Sequence, residues 1–521
     1  MAARSSKVVP ASPGVGHGLL PAGLLLGFLI YLLAFLSQPS VLGFVDGNGQ
    51  LLPRFVDVSQ ILLVEELLAG MAGGGRLEFG ISDRLPLLLA AGSWLAIAWW
   101  IGLPLVQRAL RRTAAGRIER YTLAVLVGLA ILSTATLLVG LGGGLGQRWP
   151  LLAALALLVG LSYAARRGSR GQSAAELEPA AADAAQADAL RDKGHVGKPA
   201  RAGNAGQPHV QPANMPSMWL ARLLPIGVVG LAVLYLLGSL LPPWEFDVVE
   251  YHLQAPKEFY QAGQIAFSAH NIYANMPLAA EMHSLAAMVL VGGTEGWWWG
   301  GLIGKTIIGV HALLAALLLA GFMARQYGNW SGWAAAGLLL AAPGSAHVAL
   351  AGLIDMVLAA YLLGGLVSLS LLWPLLRSET QGPATTGILL VSILAGAAAA
   401  CKYTGLLFAV LPLLLAVGLG LMWSGAGRQF ATILRSLTAM FLGLCLTCLP
   451  WYAKNWFLSG NPFFPLAYDI FGGRGLSEVQ VERWQAAHSV PTNAQGSAYT
   501  LGAWWESLTQ LLMKSEFLHP S

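Results

Sequence analysis

Long apolar runs separated by short polar segments fill most of the chain. Runs of about 17 to 25 apolar residues are long enough to cross the hydrocarbon core of a bilayer as helices. Because lipid offers the backbone no hydrogen-bond partners, every such run must be helical inside a membrane. The pattern predicts an all-α polytopic membrane protein with about eleven transmembrane helices, near residues 19–36, 85–107, 120–143, 149–165, 219–241, 297–323, 329–350, 354–373, 384–400, 404–422 and 434–450.

The composition agrees with this pattern and excludes a soluble domain. Of 521 residues, 56% are hydrophobic and 11% are charged, whereas about 25% are charged in an ordinary globular domain. The first apolar run could also be a secretory signal peptide, but "AFLSQPSVLG" offers a poor small-residue cleavage site and the run is long for such a peptide. We therefore expect a retained membrane anchor.

Basic residues lie on one side of the predicted spans. Loops rich in Lys and Arg remain in the cytoplasm, so the loops around 37–84, 242–296 and 351–355, the 400–403 turn and the chain after 450 should face outward. The net charge of +5 then reflects topology and does not indicate nucleic-acid binding. The basic residues are Arg4, Lys7, Arg108, Arg111, Arg112, Arg117, Arg120, Arg166, Arg167, Arg170, Arg325, Arg377, Arg428 and Arg435.

A polar segment divides the predicted spans into two groups. Residues 166–218 are rich in Ala, Gly, Pro and Gln and nearly free of aromatic residues, a composition that cannot bury enough apolar surface to fold. The predicted organisation is an N-terminal module of about four helices (1–165), a disordered cytoplasmic linker (166–218), a membrane core of about seven helices (219–450) and an outward-facing interfacial C-terminal segment (451–521).

The densest group of reactive side chains follows the fifth span, in "LPPWEFDVVEYHLQAPKEFYQAGQI". In a regular helix Asp247, Glu250 and Tyr251 stand at i, i+3 and i+4 and share one face, with His252 beside them and Lys257 one turn beyond. A partly desolvated carboxylate near a second one can act as a general base for a hydroxyl group. The alternative is a solvated interfacial helix whose charges have no role.

More polar residues converge on the same predicted side. Asp355 begins the eighth span, Lys402 and Tyr403 occupy an outward turn, and Lys454 and Asn455 follow the last span. Charges next to a membrane are costly and are usually functional. The two lysines could neutralise a phosphate, although Asp355 and Lys402 could instead extend to the lipid headgroups.

Several established site types are absent from the sequence. The stretch "GLIGKT" ends like a phosphate-binding loop, but the pattern needs glycine where Trp299 stands. Lys305 and His311 remain as intramembrane polar groups with either a structural partner or a substrate contact. No H-E-x-x-H, G-x-S-x-G or strand-linked G-x-G-x-x-G occurs, which argues against metalloprotease, serine hydrolase and nucleotide-cofactor classes. No cofactor is indicated, and a divalent metal is possible without being indicated.

Five short motifs follow one another in the second group of predicted spans: "PPWEFDVVEYHLQAPKEFYQAGQI", "YANMPLAAEMHSLAAMVLVGG", "AGLIDMVLAAYLL", "AGAAAACKYTGLLF" and "PWYAKNWFLSGNPFFP". Their order resembles that of the motifs in bacterial multi-pass glycosyltransferases of the GT-C superfamily. The resemblance covers roughly residues 219–470 and is to glycosyltransferase family 39 and RgtA/B/C/D-like enzymes, relatives of the protein O-mannosyltransferases and aminoarabinose transferases.

This resemblance implies a specific chemistry. Enzymes of the superfamily move a sugar from a polyprenyl-phosphate donor to a lipid, glycan or protein acceptor on the outer face of the membrane, with inversion at the anomeric carbon. By resemblance, Asp247 is the general base or positions the acceptor, and Lys402 holds the donor phosphate. The chain departs from the mannosyltransferases, which carry two adjacent acidic residues where this chain has Asp247 and Val248. The supporting binding residues implied are Glu250, Tyr251, His252, Lys257, Asp355, Tyr403 and Asn455.

Two other functions remain compatible with the sequence. A multi-pass transporter or flippase of an anionic amphiphile would also carry charges in its spans, but it should show repeats and broken helices near the midplane. A non-catalytic membrane subunit of envelope polysaccharide assembly would tolerate the loss of Asp247.

Overall fold

The structure, a computed structural model, describes residues 19–39, 48–55, 81–167, 218–377, 385–423 and 430–488, with residues 502 and 505. This part of the chain consists of helices and connecting turns and contains no β-strand. The predicted all-α membrane protein is confirmed. Most of the predicted linker and much of the predicted C-terminal segment lie outside the described residues.

Seventeen α-helices are described. In chain order they are α1 (Leu19–Ser37), α2 (Ile81–Ala109), α3 (Arg117–Leu141), α4 (Arg148–Arg167), α5 (Met218–Gly238), α6 (Gln254–Ala262), α7 (Met282–Val291), α8 (Gly296–Tyr327), α9 (Asn329–Ala341), α10 (Pro343–Ala351), α11 (Asp355–Leu376), α12 (Thr385–Cys401), α13 (Leu411–Met422), α14 (Phe430–Thr447), α15 (Leu449–Ser459), α16 (Tyr468–Phe471) and α17 (Glu478–Ala487).

Six helices of the described chain are long and apolar enough to cross a membrane, and a bent pair brings the number to seven. The six are Arg84–Ala109, Arg117–Leu141, Arg148–Arg167, Gly296–Tyr327, Asp355–Leu376 and Phe430–Thr447. The predicted run 219–241 contains α5, a helix of 21 residues. Two further predicted runs, 384–400 and 404–422, contain shorter apolar helices, Thr385–Cys401 and Leu406–Met422.

The predicted span 329–350 is broken. Helices α9 and α10 meet at an angle of 64°, and Ala342 between them is extended, with φ −67° and ψ 122°. Pro343 has no amide hydrogen, and its ring disfavours a helical conformation at the preceding residue. The sequence "AAPG" thus ends one helix and begins the next.

The described residues divide into two compact units. One contains the described residues between 81 and 167 and between 222 and 484, and the other contains those between 19 and 55, between 218 and 221 and after 484. Helices α2 to α4, from the predicted N-terminal module, therefore belong to the same unit as the predicted core. Several hydrogen bonds join these parts. For example, Trp94 Nε1 donates to His283 Nδ1 at 3.3 Å, and Ser133 Oγ donates to the Ala279 carbonyl at 2.6 Å.

In the other unit, residue Arg54 contacts the end of α1. The guanidinium of Arg54 donates to the Phe35 carbonyl at 3.2 Å and lies 4.0 Å from the centre of the Phe35 ring. An isolated antiparallel bridge pairs Pro39 with Pro53.

Small residues let α2 and α3 approach closely. A Cβ on Gly128 would lie 1.8 Å from the Ala98 carbonyl oxygen, and one on Gly102 would lie 2.0 Å from that of Ala124. No water is released when helices associate inside a membrane, so their association depends on van der Waals contact. Small residues increase this contact because they let the backbones approach closely.

An ion pair with a buried carboxylate joins the C-terminal end of α8 to the N-terminal end of α3. Arg325 Nε lies 3.0 Å from Glu119 Oε1, and Glu119 Oε2 accepts a hydrogen bond from the Gly116 amide at 2.7 Å. Glu119 is 1% exposed, so its charge depends on these two partners. The pair ties α3 to α8.

The intramembrane lysine has a structural partner. Lys305 Nζ donates to the carbonyls of Ser239 and Leu241, at 3.2 and 3.0 Å. These carbonyls follow the end of α5, where backbone acceptors lack helical partners. Of the two roles predicted for Lys305, the structure gives it the structural one. His311 likewise bonds through Nδ1 to the Ile307 carbonyl at 2.9 Å.

We expect Gly128→Ala to destabilise the protein because the added methyl group must push α2 away from α3. Overpacking of this kind costs about 1–3 kcal/mol. The measurement is the midpoint of thermal unfolding of the purified protein in detergent. The matched control is Gly160→Ala, since a Cβ on Gly160 meets nothing within 4 Å. Equal midpoints for the two variants would contradict the close approach.

Candidate functional site

The candidate site is built from the segment between α5 and α7, the start of α11 and the turn after α12. The predicted helix around Asp247 is not regular: residues Val248–His252 form a π-helical turn, in which the Leu253 amide bonds to the Val248 carbonyl at 2.9 Å. Turns of this type occur often at functional sites. Tyr251 still reaches back, and its hydroxyl lies 3.5 Å from Asp247 Oδ2.

Asp247 is half-buried, and its pKa lies above the ordinary value for an aspartate. Burial is the main cause, and the nearby carboxylate of Glu245 adds to it. His252, Lys402 and the hydrogen bond from Tyr251 act in the opposite direction. Asp247 is therefore a partly accessible carboxylate with an increased proton affinity, as a general base requires.

A second carboxylate belongs to the same environment. Burial and the charge of Asp247 raise the pKa of Glu250. The backbone carbonyl of Glu250 accepts a hydrogen bond from Asn271 Nδ2 at 2.8 Å, which fixes the π-helical turn to the following loop. The predicted proximity of Asp247, Glu250 and Tyr251 is thus present in a different helical geometry.

Lys402 and Asp355 form an ion pair that is open to solvent. Their side chains are 2.8 Å apart, Nζ to Oδ1, and are 45% and 49% exposed. Lys402 lowers the pKa of Asp247, and Asp355 contributes to raising that of Tyr251. The structure therefore brings Asp247, Asp355 and Lys402 into one charged cluster.

Two aromatic rings border this cluster. The rings of Tyr251 and Tyr273 are stacked, with centroids 5.0 Å apart and an interplanar angle of 24°. Sequence reasoning missed Tyr273. The signal available was its position in the quoted motif "YANMPLAAEMHS".

A buried polar layer lies behind the cluster. His252 Nδ1 is 2.5 Å from Glu281 Oε1, and both side chains are almost fully buried. Predicted as a supporting binding residue, His252 instead pairs with Glu281, which sequence reasoning also missed. An acidic residue within the apolar stretch "PLAAEMHSLAAMVLV" was the signal that could have found it.

Lys454 also belongs to the buried layer. It is 3% exposed, and its ammonium donates to the carbonyls of Asn275 and Met276, at 2.9 Å each. The sequence suggested that Lys454 could neutralise a phosphate. The structure corrects this, since its hydrogens are directed to the backbone of the loop before α7.

Tyr403 and Asn455 are placed in a structural network. The Tyr403 hydroxyl donates to the Phe464 carbonyl at 2.6 Å and accepts from Asn455 Nδ2 at 2.7 Å, and Asn455 is 1% exposed. These contacts hold the turn that carries Lys402 against the loop after α15. Both residues were predicted to bind substrate. In the structure their hydrogen bonds hold the turn next to Lys402 in position.

Lys257, predicted as a supporting substrate-binding residue, lies over an aromatic ring. Its ammonium lies 4.1 Å from the centre of the Trp297 ring, which is a cation–π geometry. Trp297 lies at the start of α8. Among the described residues, no group of three or more His, Cys, Asp and Glu side chains could hold a metal ion.

Comparison of the chain with protein-family models, with curated proteins and with solved structures gives no match.

We expect Asp247→Asn to make the folded protein more stable near neutral pH. The raised pKa of Asp247 means that its charged form is disfavoured in the folded state, and an amide removes that charge. The advantage should vanish as the pH falls below about 3.9, where the unfolded aspartate is also protonated. The measurement is the unfolding midpoint across pH, with Glu258→Gln as control because Glu258 pairs with the exposed His270. A variant less stable than wild type at neutral pH would contradict this reasoning.

Proposed function

We propose that the chain is a membrane glycosyltransferase of the GT-C type that moves a sugar from a polyprenyl-phosphate donor to an acceptor hydroxyl or amine. The observation that carries this proposal is the joining of Asp247, a carboxylate of raised pKa, with the solvent-open pair Lys402–Asp355 at one end of a membrane-embedded helical bundle. A base and an exposed cation at membrane level suit an anionic lipid-linked substrate.

In the proposed reaction, Asp247 removes the proton from the acceptor while the acceptor oxygen or nitrogen attacks the anomeric carbon. The bond between that carbon and the phosphate oxygen breaks, and polyprenyl phosphate leaves. Attack from the face opposite the leaving group inverts the configuration. Lys402 meets the negative charge that develops on the phosphate, and for this it exchanges Asp355 for the substrate.

The proposed topology puts the Asp247 site on the outer face of the membrane. About eleven spans with a GT-C-like core would place the N-terminus and the 166–218 segment in the cytoplasm and the Asp247 loop on the outer face of a bacterial inner membrane. The lipid tail of the donor would lie against the apolar helices, and the acceptor would be a lipid, glycan or protein. The residues retained as candidate substrate contacts are Glu250, Tyr251, Asp355 and Lys402.

We expect Asp247→Asn to reduce sugar transfer on the order of 10²–10⁴-fold, the usual contribution of a positioned general base. The measurement is the transfer of radiolabelled sugar from a purified polyprenyl-phosphate sugar, with the full-length protein in lipid vesicles. Glu258→Gln, a carboxylate change in the neighbouring helix α6, should retain activity. Undiminished transfer by the Asp247 variant would exclude its catalytic role.

We expect Lys402→Gln to weaken binding of a long-chain polyprenyl phosphate without its sugar. Loss of a hydrogen bond to a charged group costs about 1.5 kcal/mol or more, which is roughly 10-fold in affinity. Binding is measured by titration of the lipid into the protein in detergent. Lys257→Gln is the matched control, because Lys257 contacts Trp297. Equal weakening by both variants would show nonspecific attraction in place of a defined phosphate contact.

One observation favours the transporter alternative. Helices α9 and α10 are bent by 64°, and broken helices are typical of transporter binding sites. Movement of a labelled polyprenyl phosphate between the leaflets of vesicles, with no sugar transfer, would support this alternative over the glycosyltransferase.

A further inference from the structure

Glu281 is a fully buried carboxylate at the start of α7, and it bonds to a histidine from a different element. Its Oε1 lies 2.5 Å from His252 Nδ1, and its side chain is 0% exposed. An ionised carboxylate can only accept hydrogen bonds, and with Glu281 ionised the donor is Nδ1. A buried carboxylate is costly unless it is paired and hydrogen-bonded, and the imidazole of His252 is the hydrogen-bond partner of Oε1.

A buried lysine lies near Glu281. The ammonium of Lys454 lies close enough for the carboxylate to act on its charge, while its hydrogens bond to the carbonyls of Asn275 and Met276. The backbone next to Glu281 is also fixed, since the Ala279 amide donates to the Ala400 carbonyl at 3.1 Å. Glu281 is therefore held in place by the helices of the bundle.

His252 connects this buried carboxylate to the candidate site. It ends the π-helical turn that follows Asp247, and its ring centroid is 4.1 Å from that of Tyr251. Tyr251 in turn reaches Asp247 Oδ2. A charged His252 favours the ionised form of Asp247. The position and the charge of the imidazole therefore affect the protonation of Asp247.

We propose that Glu281 is a positioning residue that, through its hydrogen bond to His252, holds the imidazole charged and in place beside Asp247 and Tyr251. In this way Glu281 sets the pH range over which Asp247 is available as a base. The inference rests on the proposed function only for the role of Asp247 as that base, and the link from Glu281 to Asp247 can be measured without any sugar transfer.

Other charged and titratable groups act on the same residues and must be kept constant. Asp247 also interacts with Glu245, Glu250, Tyr251, Tyr273 and Lys402, and Glu281 also interacts with Tyr251, Lys454 and Cys401. The test therefore changes only Glu281 or His252 and follows Asp247 itself.

The experiment is a pH titration of the full-length protein followed by infrared spectroscopy. The band of the protonated Asp247 carboxyl group is assigned by its loss in Asp247→Asn. In Glu281→Gln we expect the midpoint of this band to move to higher pH. His252 then loses the carboxylate that favours its charged form, and Asp247 loses a nearby cation. His252→Gln should move the midpoint in the same direction, and the double variant should add little to either single change.

The matched control is Glu258→Gln, which breaks the exposed pair with His270 on the same segment. It should leave the midpoint unchanged. An unchanged midpoint in folded Glu281→Gln would overturn the proposal. If that variant fails to fold, Glu281→Asp retains the charge on a shorter side chain and should give a smaller upward shift; an unmoved midpoint in folded Glu281→Asp would then overturn the proposal.

Activity separates this inference from the proposed function. If the protein transfers sugar, the acid limb of the pH profile of kcat/KM should move upward in Glu281→Gln together with the infrared midpoint. A spectroscopic shift in a protein that transfers no sugar would leave the positioning role intact and refute the glycosyltransferase. Transfer that depends on Asp247 with no shift in the Glu281 variants would refute the positioning role alone.

Discussion

The cost of burying charged and polar groups inside a lipid-embedded helical bundle governs this structure. Water is absent from the hydrocarbon region, so an unpaired group there costs several kcal/mol. Glu119 is therefore paired with Arg325, and Lys305 donates to two carbonyls beyond the end of α5. These polar residues contact other parts of the chain and thereby stabilise the fold.

The candidate site differs because its charges are paired but still partly exposed. Lys402 and Asp355 contact each other with about half of each side chain open, so a substrate anion can replace the carboxylate without entering the bundle. Asp247 lies in the same charged cluster, where burial raises its pKa and neighbouring positive charges lower it. Opposing effects on the pKa of a carboxylate can adjust it for acid–base chemistry. Such an adjustment requires that the neighbouring groups are held at fixed positions.

Those neighbours are held by a layer of buried contacts. Tyr403 and Asn455 fix the turn that carries Lys402, and Glu281 fixes His252 behind Asp247. Since the layer is anchored to helices, the positions of the exposed charges depend on the packing of the whole bundle. Helices α2 to α4 contribute to this packing through hydrogen bonds such as that from Ser133 to Ala279, two residues before Glu281.

Hydropathy by itself determined the membrane class, most helix positions and the segment that carries Asp247, because these are local properties of composition and periodicity. It also selected Asp355 and Lys402, since charges beside apolar runs are rarely without a role. Only the tertiary structure decided which polar groups meet. Lys402 pairs with Asp355, which is 47 residues away in the sequence, and His252 pairs with Glu281, which is 29 residues away. Lys257 is near Asp247 in the sequence but contacts Trp297. These contacts depend on how the helices pack, so they cannot be predicted from the spacing of the residues along the chain.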